Sequence, residues 1–104
     1  EAFADVPVVL AHWGGGLPFY ALMPEVAKAL ANVHVDTAAS PYLYGPAVFR
    51  AAALTFGLDK VLFASDYPLM DQRRALAYVD EANLSNEERQ LVLGGNASRL
   101  LGLA

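Results

Sequence analysis

The segment Val61-Leu62-Phe63-Ala64-Ser65-Asp66-Tyr67-Pro68 is the main indicator of the fold, because it is an apolar run that ends abruptly at a carboxylate. A run without polar alternation is typical of a parallel strand that is buried on both faces. Pro68 cannot donate a hydrogen bond to a β-sheet, so the strand is predicted to end near Tyr67. Asp66 is thus predicted at the carboxyl end of a strand, where ligands bind in parallel α/β sheets and barrels. The alternative is an aspartate that only accepts hydrogen bonds from turn amides.

Two stretches upstream repeat this pattern. Val8-Val9-Leu10-Ala11 is an apolar run that ends at His12, and Val33-His34-Val35-Asp36-Thr37 is β-forming and closes on a carboxylate. The three predicted strands start at residues 6, 33 and 61, at intervals of 27 and 28 residues. This interval is close to one βα unit of an eightfold barrel of about 250 residues. The spacing predicts a parallel sheet with His12, Asp36 or Thr37, and Asp66 on one rim.

Helices are predicted between and after these strands. Apolar residues recur at helical spacing after the first strand, and Gly57 is placed to end the helix after the second strand. The predicted helices cover Phe19 to Ala31, Ala47 to Phe56 and about Asp71 to Ala82.

A different pattern follows Leu84, where two helices are predicted without a strand between them. Ser85-Asn86-Glu87-Glu88 is a capping box, which predicts a helix that runs to about Leu93 and stops at Gly94-Gly95. Asn96 is then predicted to cap a last helix through Leu101. Both helices are interpreted as a structural C-terminal cap.

Composition excludes several classes of function. The chain has 104 residues, a net charge of −4 and no cluster of basic residues, so no nucleic-acid partner is expected. The absence of cysteine excludes disulfides and thiolate metal sites, and it is compatible with a cytoplasmic location. No apolar stretch approaches the roughly 20 residues that span a bilayer, so no membrane association is expected. The first residue is not methionine, which suggests a piece of a longer protein.

His12 and Asp66 are the candidates for chemistry. They end the first and third predicted strands, and alternate strands of an eightfold barrel fill the same interior layers. Both side chains are therefore predicted to point into the barrel mouth. An imidazole and a carboxylate suit a divalent metal such as zinc, which lowers the pKa of a bound water. The alternative for His12 is a loop residue before three glycines.

Four motifs together resemble the C-terminal part of the amidohydrolase-2 (amidohydrolase-related) family. The resemblance implies strands six to eight of a metal-dependent TIM (β/α)8 barrel plus C-terminal capping helices, with residues 1–104 as a single partial domain. It also implies a hydrolase or nonoxidative decarboxylase that acts on a small carboxylate, lactone or amide, with zinc as the metal and manganese as the alternative. The motifs are Ala11-His12-Trp13-Gly14-Gly15-Gly16-Leu17-Pro18, Val35-Asp36-Thr37, Leu62-Phe63-Ala64-Ser65-Asp66-Tyr67-Pro68 and Gly95-Asn96-Ala97-Ser98-Arg99-Leu100-Leu101-Gly102-Leu103.

The resemblance also assigns roles to individual residues. Asp66 corresponds to the aspartate that ends the eighth strand, a metal ligand or a base that orients the metal-bound water. His12 corresponds to the histidine that ends the sixth strand and acts as acid and base or as electrostatic stabiliser. Asn96 matches a C-terminal asparagine with a structural role. Ala64 stands where the family usually has glycine.

The family's His-x-His pair on the first strand and its histidine on the fifth strand have no counterpart in this sequence. His34 lies in a different strand and is interpreted as structural. Trp13 and Tyr67 are predicted to line the pocket mouth and bind substrate, with packing as the alternative for both. Asp36 and Thr37 have both a structural and a functional interpretation.

A non-enzymatic role is the second class of function. Three strands leave two bare sheet edges, so the segment would be stable only when docked to a larger barrel or to a second copy. A homo-oligomer is therefore expected. A catalytic zinc takes about three protein ligands, so the 104 residues alone are expected to bind no catalytic metal tightly and to be inactive.

Overall fold

The computed structural model describes residues 6–103, which contain a three-stranded parallel sheet. The strands are β1 (Val8–Leu10), β2 (Val33–Asp36) and β3 (Val61–Leu62), and β2 lies in the centre. Val35 of β2 pairs with Leu10 on one side and with Val61 on the other. The parallel sheet predicted from the spacing of the apolar runs is thus confirmed, with all three carboxyl ends at one edge.

Helices and single turns connect the strands and follow the last one. None of the helices between residues 6 and 103 is long and apolar enough to cross a membrane. The α-helices are α1 (Leu17–Tyr20), α2 (Pro24–Ala29), α3 (Val48–Thr55), α4 (Gln72–Glu81), α5 (Asn86–Gln90) and α6 (Asn96–Leu100). Short 3-10 turns cover His12–Gly14, Ser40–Tyr42 and Leu58–Lys60, and a π-helical turn covers Leu91–Gly95.

The predicted single helix from Phe19 to Ala31 is wrong, because α1 and α2 are separate. Met23 between them has an extended conformation with ψ 120°. The residue before a proline is disfavoured in the α region, since the proline ring meets its backbone, and Pro24 starts the second helix. The sequence pattern did not reveal this break, because apolar residues recur at helical spacing on both sides of it.

Strand β3 is shorter than the apolar run predicts. After Leu62 the backbone leaves the sheet pairing, and the amide of Phe63 donates to the carbonyl of Val92 at 3.0 Å. The amide of Ala64 then donates to Thr37 Oγ1 at 3.0 Å. Alternation along an extended strand therefore does not set the direction of Asp66, whose φ is 69°.

The two C-terminal helices form one continuous helical run. Gly95 has φ −59° and ψ −44°, so the predicted stop at Gly94-Gly95 is wrong. Asn96 is also helical, with φ −66° and ψ −45°, and does not cap α6. Its buried amide instead donates to the carbonyls of Leu58 at 2.7 Å and Val61 at 2.9 Å. These bonds fasten the helical run to the start of β3.

The predicted capping box is present at the start of α5. The amide of Glu88 donates to Ser85 Oγ at 3.1 Å, and the amide of Ser85 donates to Glu88 Oε1 at 2.9 Å. The bond from the Ser85 backbone and, after it, the hydrogen bond from Arg50 lower the pKa of Glu88. Two of the free amides at the helix start are thereby satisfied.

The core lies between the sheet and helices α3 and α4. The ring of Trp13 packs edge-on against Phe49 with centroids 5.1 Å apart, and Phe49 lies 5.9 Å from Tyr78. Burial raises the pKa of Tyr78 to about 12, and its hydroxyl donates to the carbonyl of Tyr44 at 2.6 Å. The buried core residues are Trp13, Val35, Val48, Phe49, Ala52, Leu58, Val61, Tyr78, Val79 and Val92.

Strand β1 departs from the burial that its sequence predicts. Val8 and Val9 retain 39% and 44% exposure, although an apolar run without alternation is typical of burial on both faces. No element within residues 6–103 pairs with the outer edge of β1. Strand β1 therefore has more apolar surface than the elements within residues 6–103 cover.

His34 of β2 supplies a prediction about pH. Its Nδ1 atom is buried and has no hydrogen-bond partner among residues 6–103. Burial and then the charge of Lys60 lower the pKa of His34, with Arg99 adding to this effect and Asp59 opposing it. The unfolded state therefore binds this proton more tightly, so the free energy of unfolding should fall as the pH drops below about 6.5.

Denaturant unfolding at pH values above and below 6.5 checks the prediction. His34→Gln should reduce the loss of stability on the acid side, because glutamine does not titrate. An unchanged pH dependence in the variant would show that other groups cause the loss.

Candidate active site

His12 and Asp66 lie together at the carboxyl edge of the sheet. His12 follows β1, and Asp66 follows β3. His12 Nε2 is 3.9 Å from Asp66 Oδ2, and the two side chains are 47% and 41% exposed. The structure thus brings together two residues that are separated by the whole of β2 and its connections.

The backbone around these residues is in the left-handed region at several positions. The φ angles are 54° at His12, 60° at Trp13, 55° at Ala39 and 69° at Asp66. Such conformations cost non-glycine residues about 1–3 kcal/mol each and persist only where surrounding contacts hold them. Strain of this kind is concentrated here at the ends of all three strands.

Asp36, at the end of β2, holds the His12 side of the site. Its Oδ1 atom accepts from the amide of His12 at 3.0 Å and from the amide of Ala38 at 3.1 Å. His12 Nδ1 lies 3.1 Å from the carbonyl oxygen of Ala38. Because a carbonyl oxygen only accepts, Nδ1 is the protonated nitrogen in this bond, and neutral His12 has a lone pair on Nε2 facing Asp66.

Thr37, the next residue, holds the Asp66 side. Its hydroxyl donates to the carbonyl of Ala64 at 3.1 Å, and the amide of Ala64 donates back to the hydroxyl oxygen at 3.0 Å. The amide of Ala39 also donates to the carbonyl of Ser65 at 3.3 Å. The segment after β2 therefore contacts both strand ends that carry the candidate residues.

Trp13 does not line this site. It is fully buried, and its Nε1 donates to Ser40 Oγ at 2.7 Å, while that hydroxyl donates to the carbonyl of Thr37 at 2.6 Å. The interpretation of Trp13 as a substrate-binding residue therefore needs correction in favour of packing. The backbone at position 13 is left-handed, and the ring packs against Phe49 in the core.

An open concavity of about 410 Å³ lies beside the two candidate residues. Its wall is mostly apolar, and the ring of Tyr42 in it lies 5.6 Å from the guanidinium of Arg74. The sequence indicated His12 and Asp66 in this wall but not Ala39, Leu43 and Leu69, whose only signal is that they follow the ends of β2 and β3. The lining residues are His12, Ala39, Tyr42, Leu43, Asp66 and Leu69.

Two other tyrosines lie outside this concavity. Tyr67 is 72% exposed and lines a separate depression with Asp71, Gln72 and Arg73. Its role in substrate binding stays a prediction. The hydroxyl of Tyr44 donates to the carbonyl of Gly15 at 2.9 Å, which is a structural contact.

The residues that the structure describes do not by themselves form a metal site. Between residues 6 and 103, no group of three or more His, Asp or Glu side chains is placed to hold a metal ion. The Asp66 carboxylate and His12 Nε2 are two donors that face each other, while Asp36 Oδ1 already accepts two amides. A catalytic zinc takes about three protein ligands. These residues therefore fit such a metal only with further donors from elsewhere.

The chain is similar to known proteins in both sequence and fold. Residues 1–103 match the sequence model of a family described as Amidohydrolase. A search of curated proteins found no match. Solved structures do match this chain.

A dihydroxybenzoic acid decarboxylase from Polaromonas sp. JS666, with bound manganese and the inhibitor 2-nitroresorcinol, is 20% identical with a TM-score of 0.84 over 98% of this chain. The 5-carboxyvanillate decarboxylase from Sphingomonas paucimobilis is 22% identical with a TM-score of 0.78 over 99%. An amidohydrolase from Burkholderia multivorans with bound zinc is 22% identical with a TM-score of 0.70 over 99%.

These likenesses show a shared fold, in which the three-stranded parallel sheet matches part of TIM-barrel structures. The chain spans only part of each matched protein. It covers 35% of the Polaromonas structure, 36% of the Sphingomonas structure and 46% of the Burkholderia structure.

Proposed function

Because the chain belongs to the amidohydrolase family, we propose that it is part of a metal-dependent hydrolase or nonoxidative decarboxylase that acts on a small carboxylate, lactone or amide. The family match confirms the family that the motifs resemble. Within the proposal, residues 1–104 are strands six to eight of a TIM barrel with its C-terminal helices.

The observation that carries the proposal is the approach of His12 Nε2 to Asp66 Oδ2, at 3.9 Å on the carboxyl edge of a parallel sheet. Active sites of α/β barrels form at this edge. The concavity beside the pair gives a small ligand access to both groups.

Asp66 is the proposed metal-binding residue of this part of the chain. No hydrogen bond from residues 6–103 reaches its carboxylate, so both oxygens remain free to bind a cation. A divalent metal supplies a Lewis acid that lowers the pKa of water and polarises a substrate oxygen. The manganese of the Polaromonas structure and the zinc of the Burkholderia structure support a divalent metal.

His12 is the proposed acid and base. Its Nδ1 donates to the carbonyl of Ala38, which orients the ring and leaves Nε2 to accept a proton and return it. In hydrolysis the returned proton would go to the leaving group. In decarboxylation it would go to the carbon that loses carbon dioxide.

Metal dependence tests the proposal in the full-length enzyme that carries this chain. Dialysis against a chelator is expected to abolish turnover of a panel of aromatic carboxylates, lactones and amides, and added zinc or manganese should restore it. Atomic absorption would follow the bound metal through each step. Full turnover by metal-free protein would contradict the proposal.

The exposed edge of β1 favours a second candidate, a non-enzymatic segment that is stable only through docking to a larger barrel or through self-association. Purified residues 1–104 are expected to self-associate without turnover under either proposal. A monomer with stoichiometric, tightly bound metal would count against both. Homo-oligomer formation by the complete protein and a cytoplasmic location remain predictions from the sequence.

A further inference from the structure

Asp36 is a charged residue at the site whose carboxylate is directed at backbone amides rather than at the concavity. We infer that Asp36 is the positioning residue for the His12 imidazole, an inference that rests on the proposed acid and base role of His12. Asp36 does this through two amides that lie on different segments of the chain.

One carboxylate oxygen of Asp36 accepts both hydrogen bonds that fix the position of the imidazole. Asp36 Oδ1 accepts from the amide of His12, which carries the ring, at 3.0 Å. It also accepts at 3.1 Å from the amide of Ala38, the residue whose carbonyl receives His12 Nδ1. The carboxylate therefore sets the position of the ring relative to its own acceptor. Hydrogen bonds to an ionised acceptor are about twice as strong as neutral ones.

The backbone of His12 needs such a restraint. Its φ of 54° lies in the left-handed region, which a non-glycine residue keeps only where surrounding contacts hold it. Release of the amide would allow the peptide to return toward extended geometry. The ring would then lose its hydrogen bond to the carbonyl of Ala38, and Nε2 would move from its position 3.9 Å from Asp66 Oδ2.

A pair of variants separates this role from general structural support. Both amides use the same oxygen, so Asp36→Asn retains an acceptor in place, whereas Asp36→Ala removes it. In the full-length enzyme, Asp36→Ala is expected to lower kcat by about 10–100-fold with little change in KM, the size of effect seen when the support of a site residue is removed. Asp36→Asn should recover most of kcat.

The tautomer of His12 gives a readout that does not depend on turnover. Nitrogen-15 NMR of the full-length protein should show His12 protonated at Nδ1, with the signal assigned by its loss in His12→Gln. Asp36→Asn should preserve this tautomer, and Asp36→Ala should shift the ring toward the form protonated at Nε2. Asp80→Ala, which removes an exposed partner of Arg89 away from the site, is the matched control.

Retention of the Nδ1 tautomer and of kcat in Asp36→Ala would overturn the inference. If Asp36→Ala does not fold, Asp36→Asn still decides, because loss of the Nδ1 tautomer in that variant would also overturn it. A protein with the expected tautomers but no turnover on any substrate would overturn the proposed function alone.

Discussion

Asp66→Ala is expected to lower turnover of the full-length enzyme by roughly 10²–10⁴-fold, the range for removal of a group that acts directly in catalysis. It should also reduce the amount of bound metal. The physical reason is that the Asp66 carboxylate lines the concavity, with Oδ2 3.9 Å from His12 Nε2. It accepts no hydrogen bond from residues 6–103 that would indicate a structural role for this side chain.

His12→Ala provides the comparison. It should lower turnover while most of the metal remains, because Nε2 is assigned to proton transfer and Asp66 to metal binding. Rates and metal content are measured for both variants and for Asp80→Ala, whose side chain pairs with Arg89 outside the site. An active Asp66→Ala enzyme with a full complement of metal would show that the assignment of Asp66 is wrong.

Asn96→Ala is expected to lower the free energy of unfolding by about 2–4 kcal/mol. The side chain is 1% exposed, and its amide donates to the carbonyls of Leu58 and Val61. The carbonyl of Leu58 keeps the backbone amide of Val61 as a donor, so the loss of its bond to Asn96 costs about 1 kcal/mol. The carbonyl of Val61 loses its Asn96 donor, and a buried polar group left without a partner costs about 1–3 kcal/mol. The effect should be large because these bonds join the C-terminal helical run to β3.

Urea unfolding monitored by circular dichroism measures this change. Asn96→Asp separates hydrogen bonding from packing, because aspartate has nearly the same volume but no N–H donor when ionised. It should be at least as destabilising as Asn96→Ala. Asn86→Ala, at an exposed position of α5, should leave stability nearly unchanged. Equal, small effects at both asparagines would show that the two buried hydrogen bonds contribute little.

The predicted features that the structure confirms are those with a local cause. The capping box requires only that Ser85 and Glu88 be three residues apart. The order and parallel direction of the strands follow from apolar runs that recur at intervals of 27 and 28 residues with helix-forming segments between them. The failed helix prediction also had a local cause, since the residue before Pro24 disfavours helix.

Other features depend on partners that are distant in the sequence. The run Val61 to Ala64 predicts a longer strand, but the amide of Phe63 bonds to Val92 and that of Ala64 to Thr37. Gly94 and Gly95 predict a helix end, yet the helical run continues into Asn96, whose side chain is bonded to Leu58 and Val61. In both cases a tertiary contact outweighed a local preference of about 1 kcal/mol.

The family, the parallel sheet and the placement of His12 and Asp66 at strand ends were predictable from sequence, because motifs and apolar periodicity depend on residues that are neighbours in the chain. Only the tertiary structure decided that Trp13 turns into the core and that Asp36 bonds the amide of His12. The backbone is left-handed at positions 12 and 13. Such a conformation is held by contacts 24 and more residues away, which no local pattern encodes.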